Sequence, residues 1–461
     1  MLGFRDHRSW LGVRQPRRLF RRTHVGRSRL PILHNRPRIA DPQLASNLAP
    51  LIPPTIPVRV VTYDSLNGFS ESSEMRFASA GNQESNTPRA IREAVMVVEE
   101  QLSGQTPDLA FVFVTHHHTT DPGFGRKLHE ALGSRVLVGC TAESVASNGH
   151  EYENGPAIAV WAACLPGCGI DPFHIAFERT LDGLLATGAP SAEAATADLR
   201  AAFLLGDPFS CSVDSMLAHF AAEFPGLPVL GGMASGASAP GENRLFLNDG
   251  EYDHGSVGVV VGGPVSIRSV VSQGCRPIGK PFVVTRANRN MLVELGGRPA
   301  LEQLNNIYRD SEPADQQLIQ KGLHVGLAMS EYKESFGRGD FLIANVVGAD
   351  RESGALAIGN LVRTGQTIQF HVRDATTADE DLRTLLSSSL AAGPAGGGLL
   401  FSCNGRGTRM FPAPHHDATT IRDVAGVIPL AGFFAQGELG PVAGQNYIHG
   451  FTASVALFGA E

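Results

Sequence analysis

The sequence predicts an α/β fold bordering on α+β, in which helix-covered sheets form layers. Three observations predict it. Apolar runs of strand length recur, such as LAFVFV (Leu109–Val114) and AAFLLGD (Ala201–Asp207). Runs that are apolar at every residue suit strands buried on both faces. Helical spacings lie between them, and the order strand, helix, strand, turn, strand comes three times.

Thr87–Pro88 reads as an N-cap followed by proline at the first helical position. Ile91, Ala94, Val95, Val98 and Leu102 then share one helix face. The first copy continues with the strand LAFVFV, the stretch THHHTTDPGFG, a helix around Leu128 and Leu132, the strand RVLVGC and the strand AIAVWAA (Ala157–Ala163). The second copy has AAFLLGD, a helix bearing Val213, Met216, Leu217, Phe220 and Phe224, the strand in LPVLGGMASG and the strand SVGVVVGG. The third has GGLLFSCNG, DATTIRDV, IPLAGFFAQGELG and HGFTASVALF. Between the second and third copies the texture is that of short strands at hairpin spacing. Helices are expected there over Arg286–Leu295 and Ala300–Tyr308, and near Asp379–Leu386. Two linked domains are expected, 75–263 and 264–461, split near Gly262–Pro264.

Composition narrows the function. Hydrophobic residues make up 43% and charged residues 18% of 461, as in a globular protein with a full core. Eleven arginines and one acid in residues 1–38 carry +10 of a net −7, leaving −17 on residues 39–461. An acidic body argues against nucleic acid as a partner of the folded part. No apolar run approaches the ~20 residues of a membrane span. Six thinly spread cysteines beside apolar runs indicate reduced thiols and a cytoplasmic protein. The basic, proline-broken segment 1–74 reads as a tail for nucleic acid or an anionic surface, an organellar transit peptide, a disordered extension or an unused upstream start. Met75 is the candidate true start.

Chemistry-bearing residues gather at strand ends. In each copy a strand ends in a turn of small residues, GCTAES, GGMASG or GFFAQGE, which would let a ligand approach the backbone closely. Thr141 and Ser235 lie in the first two. The stretch FSCNGRGTR (Phe401–Arg409) is the richest. Asn404, Gly405, Arg406 and Gly407 could grip a carboxylate through backbone N–H groups and a bidentate guanidinium. Glu438 could then hold an amine, with Asn446 and His449 completing the wall. Cys403 is a weak candidate nucleophile, with Arg406, Arg409, His415 and His416 nearby in sequence. The runs His116–His118 and His415–His416 lack HExxH or paired CxxC spacing, so no metal and no cofactor are expected. Glu331, Lys333, Glu334, Arg338 and Asp340 read as a solvated hairpin or loop.

Several long segments together resemble the FIST domain family. LAFVFVTHHH, VLVGCTAES, PAIAVWAACLPG and PVLGGMASG are similar to its N-terminal half. VGLAMSEYKESFGRGDFLIANVVGAD, LLFSCNGRGTRMF, PLAGFFAQGELGPVAG and IHGFTASVALF are similar to its C-terminal half. The resemblance implies a FIST N-terminal and a FIST C-terminal domain in a sensory protein that binds a small polar ligand such as an amino acid. It brings no catalytic residues. No kinase, cyclase or methyl-accepting segment is apparent, so a separate downstream signalling protein would read the bound state. Two alternatives stand beside this: a cysteine-dependent acyl or amide transfer enzyme using Cys403, and a protein-interaction scaffold without ligand.

Overall fold

A computed structural model of the chain describes residues 74–461 except 121, 181–182, 194–197, 334 and 338. The basic segment 1–73 and two residues of the charged loop, Glu334 and Arg338, therefore lie outside the described residues.

The threefold order of elements is a threefold structure. The first repeat comprises strand Leu109–Thr115, helix Phe124–Leu132, strand Val136–Ala142, a hairpin of Val145–Ser147 and His150–Tyr152, and strand Ile158–Cys164. The second comprises Leu199–Gly206, helix Val213–Glu223, Val229–Met233, a hairpin of Leu245–Leu247 and Gly250–Tyr252, and Ser256–Gly262. The third comprises Gly397–Cys403, helix His416–Ala425, Leu430–Ala435, a hairpin of Glu438–Val442 and Gln445–His449, and Thr452–Ala460. In each repeat the first two strands pair parallel and the last pairs antiparallel with the first. A further strand precedes each repeat and pairs antiparallel with its last strand: Arg76–Asn82, Gly169–Thr180 and Val265–Gln273.

The hairpins are exchanged in a ring. That of the first repeat pairs with Leu430–Ala435 of the third, that of the second with Val136–Ala142 of the first, and that of the third with Val229–Met233 of the second. Each donated hairpin covers a sheet edge that would otherwise be open. An asparagine pins each one. Asn148 accepts from Leu430 N at 3.2 Å, Asn248 from Leu137 N at 3.0 Å and Asn446 from Val229 N at 2.9 Å. A glycine sits at the same place in each middle strand: Gly139, Gly231 and Gly432. A Cβ there would overlap the carbonyl oxygen of the facing residue, Val112, Leu204 or Leu400. Where the three sheets meet, aromatic rings from different repeats touch. Phe111 lies 5.4 Å from Phe203, Phe113 4.9 Å from Phe433 and Phe203 5.5 Å from Phe458.

Residues 275–373 are inserted between the strand Val265–Gln273 and the third repeat. Their strands pair in a closed antiparallel ring: Cys275–Asn288, Thr367–Arg373, Leu323–Ala328, Phe341–Asp350, Ala355–Ile358, Met291–Leu295, and back to Cys275–Asn288. Helices Ala300–Asp310 and Pro313–Lys321 put Ala300, Leu304 and Ile319 into its core. The ends of this insertion lie together, since Asp374 N reaches Gly274 O at 3.4 Å. The expected helix over Arg286–Leu295 is instead two strands of the ring joined at Arg289, whose φ of 54° breaks a helix. The spacing of Leu292 and Leu295 imitated a helical face. The first helix is capped one residue earlier than expected, by Asn86, whose side chain accepts from Arg89 N. The helix Ala375–Leu390 contains the expected Asp379–Leu386. The hairpin loop holds a Lys333–Asp340 ion pair, and Glu331 accepts from Thr367 N at 2.8 Å.

Candidate functional site

The three small-residue turns converge, and they converge on one another. Ser235 N donates to Thr141 O at 3.2 Å, Gln436 N to Met233 O at 2.9 Å and Phe434 N to Ser144 O at 2.9 Å. The Ser235 hydroxyl donates to Phe434 O and accepts from Glu143 N. Thr141 Oγ1 donates to Asn243 Oδ1 at 3.1 Å. Their polar groups are thus used in joining the repeats, and Ala142, Ala234 and Ala435 are buried among them.

The stretch FSCNGRGTR is gripped by the chain's own acids. Arg406, expected to face a ligand carboxylate, is 0% exposed and spends its fork on Asp417, with Nε and Nη2 each donating at 2.7 Å. A buried guanidinium without a partner would be costly, and Asp417 in the first turn of helix His416–Ala425 supplies one. Burial would push Asp417 up, but Arg406, aided by His416, holds it well below the usual carboxylate range. Asp417 also accepts from Ser402 Oγ at 2.7 Å. The rest of the loop is held by the first repeat. Glu153 accepts from Thr408 N and Oγ1, Glu143 pairs with Arg409, and Glu151 accepts from Ala418 N at 3.0 Å. Gly407, at φ 57°, leaves room for the Glu153 carboxylate, which a Cβ would meet at 2.6 Å.

Beside this loop, polar groups are left unmatched. The centre of the corner is Phe451, a non-glycine residue at φ 65°, a conformation that costs ~1–3 kcal/mol and persists only where its surroundings impose it. Its ring lies over Gly405, where a Cβ would come within 2.7 Å of it. The guanidinium of Arg373, from the last strand of the inserted ring, stacks on it at 4.3 Å, and His324 meets it edge-on at 4.5 Å. Arg373 Nη2 donates to Gly405 O, and no carboxylate pairs with this half-buried cation among the described residues. Burial lowers its pKa.

Glu438 is 0% exposed. Its Oε2 accepts from Thr452 N at 3.0 Å and Thr452 Oγ1 at 2.8 Å, while its Oε1 has no hydrogen-bond partner among the described residues. The same holds for Oδ1 of Asn404 and Nδ1 of His324. Burial pushes Glu438 up to about 8 against the pull of Thr452, Cys403 and Arg406, and lowers His324 to about 3 with help from Arg373 and His371. Burial, then the neighbouring Glu438, raises the Cys403 thiol strongly. His449 faces Glu438 across the hairpin and is buried, its Nε2 3.0 Å from Gly440 O, and burial lowers it to about 4.

The expected site residues thus divide into groups. Cys403, Asn404, Gly405 and Glu438 border the unmatched corner, with His449 behind. Arg406 and Gly407 belong to the acid-held loop, Thr141 and Ser235 to the central turns. Asn446 is a hairpin pin, bonded to Val229 N and Leu227 O. Arg373, Phe451, His324 and Asp417 escaped sequence reasoning. Asp417 carried a signal, an acid opening the predicted helix DATTIRDV. Arg373 and Phe451 carried none, since their meeting is purely tertiary. Of the histidine run, His118 is buried with Nδ1 3.0 Å from Thr87 Oγ1. No group of three metal-ligating side chains is placed to hold an ion among the described residues. All six cysteines are free.

Exchanged α/β repeats with an inserted ring of strands define a two-part class of protein. The FIST N domain model matches residues 108–298 and the FIST C domain model residues 300–441. The chain belongs to the FIST family, whose domains are associated with signal transduction and sensing. An uncharacterized protein of Mycobacterium tuberculosis is 45% identical over 373 residues, spanning 80% of this chain and 96% of its own. An uncharacterized protein of Mycobacterium bovis is 41% identical over 373 residues, spanning 80% and 95%. The family models divide the chain inside the inserted ring, whereas the second repeat ends at Gly262.

Proposed function

We propose that the chain is a cytoplasmic sensory protein that binds one small polar ligand and passes the bound state to a downstream signalling partner. The family association supports the class, and the free thiols accord with a reducing compartment. One observation carries the site. Three side chains whose buried polar atoms are unmatched among the described residues, Asn404, Glu438 and His324, are tied to a single strained aromatic, Phe451, and its stacked cation Arg373. Buried polar atoms are normally satisfied, so a cluster of exceptions marks a place for a partner. Asn404, Gly405 and Glu438 form one wall. Arg406, Gly407, Thr141, Ser235, Asn446 and His449 form the framework that positions it. Because the corner joins the third repeat to the inserted ring, a ligand there transmits a signal by favouring one arrangement of the two.

A thermal-shift screen of the full chain against amino acids and related metabolites tests this. A ligand at 100 times its Kd adds about 2.7 kcal/mol. Silence across a broad panel, with Arg373→Ala melting like the parent, sinks the proposal. The acyl-transfer alternative needs a thiolate at Cys403, which burial and Glu438 oppose. Iodoacetamide is therefore expected to spare Cys403 in the folded chain at pH 8.5. Rapid labelling at neutral pH would restore that alternative.

A further inference from the structure

We propose that the ligand of this corner is a small organic carboxylate gripped by Arg373, with Glu438 serving it as a neutral hydrogen-bond donor, so that no amino group is required. The inference rests on the sensory reading above and narrows its ligand class.

The assignment comes from the charges left over once internal pairs are counted. Arg406, the cation nearest in sequence, is saturated by Asp417. Arg373 has one N–H on Gly405 O and its flat face on Phe451, and it lacks an anion among the described residues. A half-buried guanidinium so placed is matched by a planar anion, which it can take through two parallel N–H groups. Glu438 cannot play the counter-ion for an amine. It is fully buried, and the groups facing it are a thiol (Cys403), a neutral imidazole (His449), Thr452 and the already paired Arg406. A lone buried carboxylate of this kind keeps its proton. Both Thr452 donors converge on Oε2, which leaves the proton on Oε1, the oxygen without a partner among the described residues. That atom is a donor, and it asks for an acceptor oxygen rather than an ammonium group. Cys403 neighbours Glu438, and Gly405, two residues on, accepts from Arg373.

The test is thermal unfolding of the full chain with butyrate, 2-hydroxybutyrate, 2-aminobutyrate, butylamine and inorganic phosphate. The three carboxylates should raise Tm by similar amounts, and butylamine and phosphate should leave it unchanged. Arg373→Ala should abolish the response. Arg373→Lys, which keeps the charge but not the fork, should weaken apparent affinity at least tenfold. Should the alanine variant not fold, the lysine variant decides. Glu438→Gln should retain the response, because its amide still donates. A response confined to butylamine or to 2-aminobutyrate overturns the inference and leaves the sensory reading standing, since an amine would then be read. A response to phosphate alone, or an Arg373→Lys variant with parental affinity, also overturns it. Silence from all five probes overturns the inference, while the sensory reading falls only if the broader metabolite screen is silent as well.

Discussion

At the scale of single residues, burial decides what a charged side chain can do. Arg406 and Asp417 are each 0% exposed and hold one another by two 2.7 Å bonds. Removing one partner strands the other. Asp417→Ala should therefore destabilise the chain by about 3–5 kcal/mol in urea unfolding, whereas the double change Arg406→Met with Asp417→Leu should recover most of that loss. A single change of under ~1 kcal/mol would show that the pair is hydrated. Glu438 makes a pH-dependent prediction. Its folded value of about 8 lies above the ordinary 4.5, so the folded chain holds an extra proton between those values. This contribution is full below pH 4.5 and is lost as pH rises through 8. Glu151, also pushed up to about 8 by burial and then Asp417, acts in the same direction. The buried His324, His371 and His449, lowered to between about 3 and 4 from 6.5, act oppositely and lose their contribution on acidification below 6.5. Glu438→Gln should thus flatten the decline in stability between pH 5 and 8. An unchanged slope would mean that the carboxyl is ionised throughout.

At the scale of elements, close approach of strands explains the glycines. Gly432 faces Leu400, whose carbonyl occupies the space of a Cβ, as Leu204 does for Gly231 and Val112 for Gly139. Gly432→Ala should separate the central parallel pair of the third repeat and cost at least the 1–3 kcal/mol of an overpacked core. Parental stability would show that the sheet can widen freely. Most elements were legible because their apolar runs and helical faces are local signals. LAFVFV, RVLVGC and AAFLLGD became fully or nearly fully buried strands for that reason. Arg286–Leu295 was misread because pairing on both sides overrides a three-residue apolar spacing. The hairpin tips held a repeat signal that was passed over: NGHEY at 148–152, NDGEY at 248–252 and AGQNY at 443–447 stand at corresponding places.

At the scale of the molecule, exchanged hairpins make the three repeats one structure. Each repeat lends a hairpin to another and borrows one in turn, so none completes its sheet alone. The insertion is different, since it has its own core and its ends meet at Gly274 and Asp374. Deleting 275–373 and joining those two residues should leave a body that unfolds in one cooperative transition. It should also lose any ligand response, because Arg373 and His324 go with the deletion. Several separate transitions would contradict the interlocked fold.

The sequence by itself determined most of the strands and helices, the threefold order and the family, because each is written in local periodicity or in long matching segments. It also singled out Cys403, Asn404 and Glu438. Only the tertiary structure decided which cation is spent and which is spare. Arg406 meets Asp417 within one loop and helix, while Arg373 reaches Gly405 and Phe451 from the end of an inserted ring. Charge pairing depends on distances that chain folding creates, and no local pattern of residues encodes them.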